Sequence, residues 1–178
     1  GASLIPGGAK FIVDTNSVHG EVYYVGVKSE DQMAAEYTFL PEFTSVPFSQ
    51  MDHGDEILNG VSIPATIPGG SPSVPGFVDV VAVGFAPIQV GSVIVTNILQ
   101  QTDVGDLVSS VSFNNTTAVL MNHDSPNTAG TFDFVYDNSG TVDPATLPAG
   151  YILQPAEGPG SLQDFVGQSA SSGVWVFH

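Results

Sequence analysis

Carboxylates dominate the residues that could do chemistry in this chain. Eighteen Asp and Glu stand against Lys10 and Lys28, with no Arg and no Cys. Asp103-Val-Gly-Asp106 and Asp137-Asn-Ser-Gly140 are turn-like acidic loops, and Asp133 lies four residues before the second. Calcium takes six to eight oxygens at converging positions, usually from loop carboxylates and backbone carbonyls. Asp103, Asp106, Asp133 and Asp137 are therefore the candidate ligands of a calcium site. The plainer reading is that they are turn residues whose side chains cap local backbone. No twelve-residue EF-hand pattern ending in Glu is present.

Other constellations are weaker. Asp52-His-Gly-Asp-Glu56 gathers one imidazole and three carboxylates. A transition-metal site would need rigid geometry and usually a second His at helical or strand spacing. Neither is signalled, so a flexible acidic loop with a solvated His is expected, and His123-Asp124 is read the same way. There is no Gly-x-Ser-x-Gly elbow, and His19, His53, His123 and His178 have no recognisable Ser or Asp partner in their local sequence. No pair of carboxylates is singled out for glycoside hydrolysis. The expectation is a chain that is not an enzyme. Trp175, the sole tryptophan, lies among Val174, Val176 and Phe177 and reads as a core or rim aromatic rather than a sugar-stacking platform.

The elements that must position these residues are strands. Lys10–Val13, Glu21–Val27, Phe77–Phe85, Ser92–Leu99, Leu107–Phe113 and Thr117–Met121 are rich in β-branched and aromatic residues, with Gly, Pro, Asn and Asp between them. Val108 to Phe113 partly alternates, as a strand with one wet face should. Asn114-Asn115 reads as a tight turn between two strands. Ser29-Glu-Asp-Gln32 has capping-box spacing, but its β-rich flanks and Pro41 favour at most a single helical turn. Pro64, Pro68, Pro72 and Pro75 make 60–76 an extended stretch and the best candidate boundary. Residues 1–59 are then N-terminal strands, either the tail of a preceding β domain or edge strands of the sandwich. Residues 60–178 form the main domain. Short strands at this turn density indicate an all-β fold, a jelly-roll-like antiparallel β-sandwich with additional N-terminal strands.

Bulk properties constrain partners. A chain of 178 residues can bury roughly 70% of its unfolded surface, so a core forms without disulfide bridges. The formal charge is -16 although only 11% of residues are charged. Such a surface repels nucleic acid and anionic membranes, and the absence of Arg removes the fork that clamps phosphate. Nucleic-acid binding is not expected. Membrane insertion is not expected either, because no stretch reaches the ~18 apolar residues of a spanning helix. Divalent cations, calcium first, are the natural counterions.

Several motifs occur in a recognisable order: Ile67-Pro-Gly-Gly70, Gly105-Asp-Leu107, Phe132-Asp-Phe-Val-Tyr-Asp-Asn-Ser139, Leu162-Gln-Asp-Phe-Val-Gly167 and Gly173-Val-Trp175. Over about residues 60–178 they resemble the P domain that follows the catalytic domain in proprotein convertases and kexin-like subtilases. The resemblance implies a jelly-roll sandwich without catalytic residues, a stabilising role toward a neighbouring domain of the same protein, and an exported or cell-surface location. It also implies calcium in some members. Family members continue past the Gly-x-Trp strand into a closing strand that the 178 residues do not include. An edge left open by that strand would invite pairing with the N-terminal strands or with a second copy. The competing expectation is a carbohydrate- or protein-binding module of a bacterial surface protein, displaying Tyr23, Tyr24, Tyr136 and Tyr151 on one sheet face.

Overall fold

The computed structural model describes residues 12, 14, 17–27, 41, 43–71, 73–123, 128–140, 151–153, 158–168 and 172–178. Two compact units are present, Gly1–Phe43 and Thr44–His178. In the first, Glu21–Val27 is exposed and, among the described residues, forms no strand ladder, unlike the strand expected there. The expected strand at Lys10–Val13 and the helical turn at Ser29–Glu36 lie wholly or mostly outside the described residues, as do both lysines.

The second unit is all-β. Its strands are β1 (Ser49–Asp52), β2 (Asp55–Leu58), β3 (Val80–Gly84), β4 (Val95–Gln101), β5 (Val108–Phe113), β6 (Thr116–Asn122), β7 (Gly130–Tyr136), β8 (Tyr151–Leu153) and β9 (Gly173–Phe177). One sheet has the order β3-β9-β5-β6, the other β4-β7-β8, and β1 pairs with β2 as a hairpin. The chain passes repeatedly from one sheet to the other, the jelly-roll-like path expected. All pairings are antiparallel except β7 with β8.

The sheets close over one core because alternate residues of each strand face inward. Val111 and Phe113 of β5, Ala118 and Leu120 of β6, Phe134 and Tyr136 of β7, and Trp175 of β9 are buried in a single cluster. Aromatic rings fill much of this core. Trp175 stacks on Phe113 at 4.2 Å and 7°, and Phe165 tilts against it at 5.2 Å. Along β7, Phe132, Phe134 and Tyr136 stack in series at 5.9 and 6.0 Å. Between β5 and β6 the register shifts at Ser109/Ser110, where Leu120 is the extra residue. This bulge lets the consecutive side chains Leu120 and Met121 both reach the interior.

The acidic segment Asp52–Glu56 is not the flexible loop expected. It is the tight turn of the β1–β2 hairpin, with His53 and Gly54 at φ 50° and 102°. Positive φ at both central residues suits the twist of a two-residue hairpin, and Gly at the second supplies it without strain. Glu56 then ties the hairpin to the large sheet: its Oε1 accepts from the Phe85 and Ala86 amides at 2.7 and 2.9 Å. The chain beyond it runs beside β3, with Gly60 opposite Ala82 and Val61 N–H donating to Val81 O at 2.7 Å. A Cβ on Gly60 would press on Val80.

Candidate functional site

Two of the four predicted calcium ligands, Asp103 and Asp137, serve local backbone. Asp103 caps the 3-10 turn Val104–Asp106, its Oδ1 accepting from Gly105 N at 3.1 Å. Behind it, Val104 is fully buried, and its amide donates to Thr128 O. Asp106 is exposed in the same turn. Asp137 Oδ1 accepts from Ser139 N at 2.7 Å, and its carbonyl accepts from Gly140 N at 2.9 Å. Asp133 stands exposed on the outer face of β7, opposite Ile98 of β4. Among the described residues, no three His, Asp or Glu side chains converge as metal ligands.

The segment Leu162–Gly167 contributes to the core. Leu162–Phe165 forms a 3-10 turn whose Leu162 and Phe165 are fully buried. Asp164 closes this turn by accepting from Ser161 N at 2.8 Å. Gly167 N–H and Val90 N–H then donate to Val90 O and Gln168 O, stitching the turn to the strand-free chain before β4. Gly160, at φ 85°, packs so tightly against Thr117 that a side chain there would overlap the Thr117 carbonyl.

Tyr136 is not displayed on a sheet face. It is only 1% exposed, between the sheets. Burial pushes its hydroxyl pKa far up, and the neighbouring Ser109 hydroxyl offsets this only in part. The Tyr136 and Ser109 oxygens are neighbours that do not complete a hydrogen bond, and buried Asn97 Nδ2 likewise has no partner among the described residues. Ser109 occupies an inward position of β5 where alternation would favour an apolar residue. Tyr23 and Tyr24 are exposed, in the other unit; Tyr23 OH donates to Glu21 at 3.0 Å and accepts from Val18 N at 3.1 Å.

A further grouping has no counterpart in the sequence reading. His178 Nδ1 lies 2.6 Å from Asp79 Oδ1, and His178 Nε2 lies 3.1 Å from Ser112 Oγ. Register puts them together. Val80 pairs with Phe177, which sets Asp79 opposite His178, and Ser112 pairs with Val176, one diagonal step away. Because Trp175, Val111 and Phe113 point inward, His178 and Ser112 share the outer face of the sheet. His178 also exchanges both backbone bonds with Ser110, at 3.1 and 2.9 Å. His178 thus has Ser and Asp neighbours in space, although none is recognisable in its local sequence. No window of sequence could have signalled it, since the partners lie 66 and 99 residues away. The remaining imidazoles have simpler surroundings: exposed His53 meets Asp52 at 2.6 Å within its hairpin, and His123 Nδ1 lies 3.3 Å from Gly105 O.

In comparisons with protein-family models, curated proteins and solved structures, nothing matches this chain.

Proposed function

We propose that the chain is a non-catalytic, P-domain-like module of an exported or cell-surface protein, which stabilises or tethers a neighbouring domain of the same polypeptide. One observation carries this reading. Large apolar side chains of three of its motif segments are spent on the interior: Phe134, Tyr136, Leu162, Phe165 and Trp175 are all buried. Residues used in this way hold two sheets together rather than face a substrate. In the parent polypeptide, deletion of Thr44–His178 should lower the unfolding midpoint of the domain that remains. An unchanged midpoint would remove the stabilising role.

Calcium is part of this proposal through the acidic excess and the turns at Asp103–Asp106 and Asp137. Calcium at a hundred times its dissociation constant should add about 2.7 kcal/mol to the unfolding free energy, reversed by a chelator. A melt indifferent to both would strike calcium from the account and leave the module standing.

A second reading, a carbohydrate- or protein-binding module, draws on Glu21–Val27, where Tyr24 is 93% exposed and Val22, Val25 and Val27 are exposed beside it. β-prone and without a strand ladder among the described residues, this segment suits pairing with the sheet edge of a protein partner or a second copy. A Val22→Lys, Val25→Lys double variant should abolish concentration-dependent association. A wild-type chain that stays monomeric and binds no glycan on an array would dispose of this reading.

A further inference from the structure

We propose that Ser112 is a base-activated nucleophile that accepts acyl groups from activated esters or thioesters, with His178 as its base and Asp79 positioning the imidazole. The proposal is independent of the module's role in its parent protein.

The hydrogen-bond geometry defines the roles. A carboxylate only accepts, so in the neutral imidazole the 2.6 Å contact with Asp79 places the proton on His178 Nδ1. Nε2 then carries the lone pair and, 3.1 Å from Ser112 Oγ, can only accept the serine proton. A nucleophile held to a base, and that base held to a third group, is the arrangement that activates a hydroxyl. Three strands of one sheet hold it. Asp79 immediately precedes β3, His178 immediately follows β9, and Ser112 lies inside β5. The His178 and Asp79 side chains are 47% and 41% exposed, so a donor arriving from solvent reaches the outer face.

The same geometry limits the chemistry. Ser112 is paired with Thr117 of β6 on one side and Val176 of β9 on the other, so its own amide is committed to the sheet. It is therefore not free to stabilise an oxyanion. A positioned base contributes roughly 10²–10⁴-fold, whereas an oxyanion donor, worth about 10²–10³-fold, is not supplied by this amide. Donors with good leaving groups are accordingly the substrates, not peptide amides. In the step, Ser112 Oγ bonds to the acyl carbon as its proton moves to His178 Nε2. The bond from the acyl carbon to the leaving oxygen or sulfur then breaks, and the proton departs with the leaving group. No redox change occurs. Release of the acyl group needs water to attack an unactivated alkyl ester with the same incomplete assistance, so the adduct accumulates.

The test uses the full 178-residue chain and p-nitrophenyl acetate, following acetylation by peptide mass spectrometry. Ser110, which faces outward on the same strand and makes no contact with an imidazole nitrogen in the hydrogen-bond network, is the internal reference. Ser112 should be acetylated about a hundredfold faster than Ser110. His178→Gln should bring the two rates together, and free imidazole should restore part of the difference in His178→Ala. Asp79→Asn should lower the Ser112 rate, and Asp79→Glu should retain more of it. Equal labelling of Ser112 and Ser110 in the unmodified chain would overturn the proposal, whether or not any variant folds.

Discussion

Replacing Tyr136 by Phe should stabilise the protein, the reverse of what removing a hydrogen-bonding group usually does. The ring is 1% exposed and stacked on Phe134 at 6.0 Å and 18°. Phe keeps the ring, its stacking and its buried area, so only the hydroxyl is under test. That hydroxyl completes no hydrogen bond among the described residues. Burying a hydroxyl without a partner costs about 1–3 kcal/mol, and the nearby Ser109 oxygen places this case toward the low end. The expected gain is about 1 kcal/mol, or roughly 2–4 °C in midpoint for a domain of this size. A satisfied hydroxyl would instead give a loss of about 0.5–1.5 kcal/mol, so the sign decides. Urea unfolding at pH 7, followed through the fluorescence of the sole tryptophan, Trp175, measures it.

Alkaline pH gives an independent reading of the same group. Burial raises the folded-state pKa of Tyr136 above its unfolded value of about 10. The folded state therefore holds the phenolic proton more tightly. The resulting stabilisation is intact below about pH 10 and declines as pH rises beyond it. Tyr136→Phe should flatten that alkaline decline. A variant destabilised by about 1 kcal/mol or more at pH 7, with an unaltered alkaline slope, would refute the argument and mean that the hydroxyl has a buried partner.

Further predictions follow from the packing. Trp175→Ala removes a ring buried between Phe113 and Phe165 and should cost about 3–5 kcal/mol; a loss under about 1 kcal/mol by circular dichroism would deny it the central place in the core. Gly160→Ala forces a side chain into the Thr117 carbonyl at positive φ, with a cost of at least about 1–2 kcal/mol. Gly91→Ala, which meets open space, should stay within about 0.5 kcal/mol, and equal effects would contradict the packing assigned to Gly160. Glu56→Ala removes the acceptor of the Phe85 and Ala86 amides. Their hydrogen-exchange protection should fall by about tenfold, for a loss near 1.4 kcal/mol, and unchanged protection would show that Glu56 does not anchor the hairpin.

Legibility in the sequence followed the range of the interactions. Period-two patterning, β-branched runs and Gly/Pro punctuation act within a few residues. They placed β3 to β6, the one wet face of β5, the apolar strand around Trp175 and the all-β class; β7 was not among the strands they marked. The Asn114-Asn115 turn was readable for the same reason, and Asn114 takes φ 55°. At Glu21–Val27 local propensity pointed to a strand, but a strand needs a partner ladder, and the described residues supply none. The His53-Gly54 turn hid inside a cluster whose charge suggested solvation, although Gly at the second turn position was its signal.

Composition alone fixed the acidic surface and the absence of disulfides, because these are sums over residues and need no fold. Tertiary structure decided which polar groups meet. Tyr136 became an inaccessible core residue through the closing of two sheets. Asp79, Ser112 and His178 became neighbours through the registers of β3 with β9 and of β9 with β5. A one-residue slip in either pairing would turn a side chain to the opposite face, and such a register is set by the whole core rather than by any local stretch of chain.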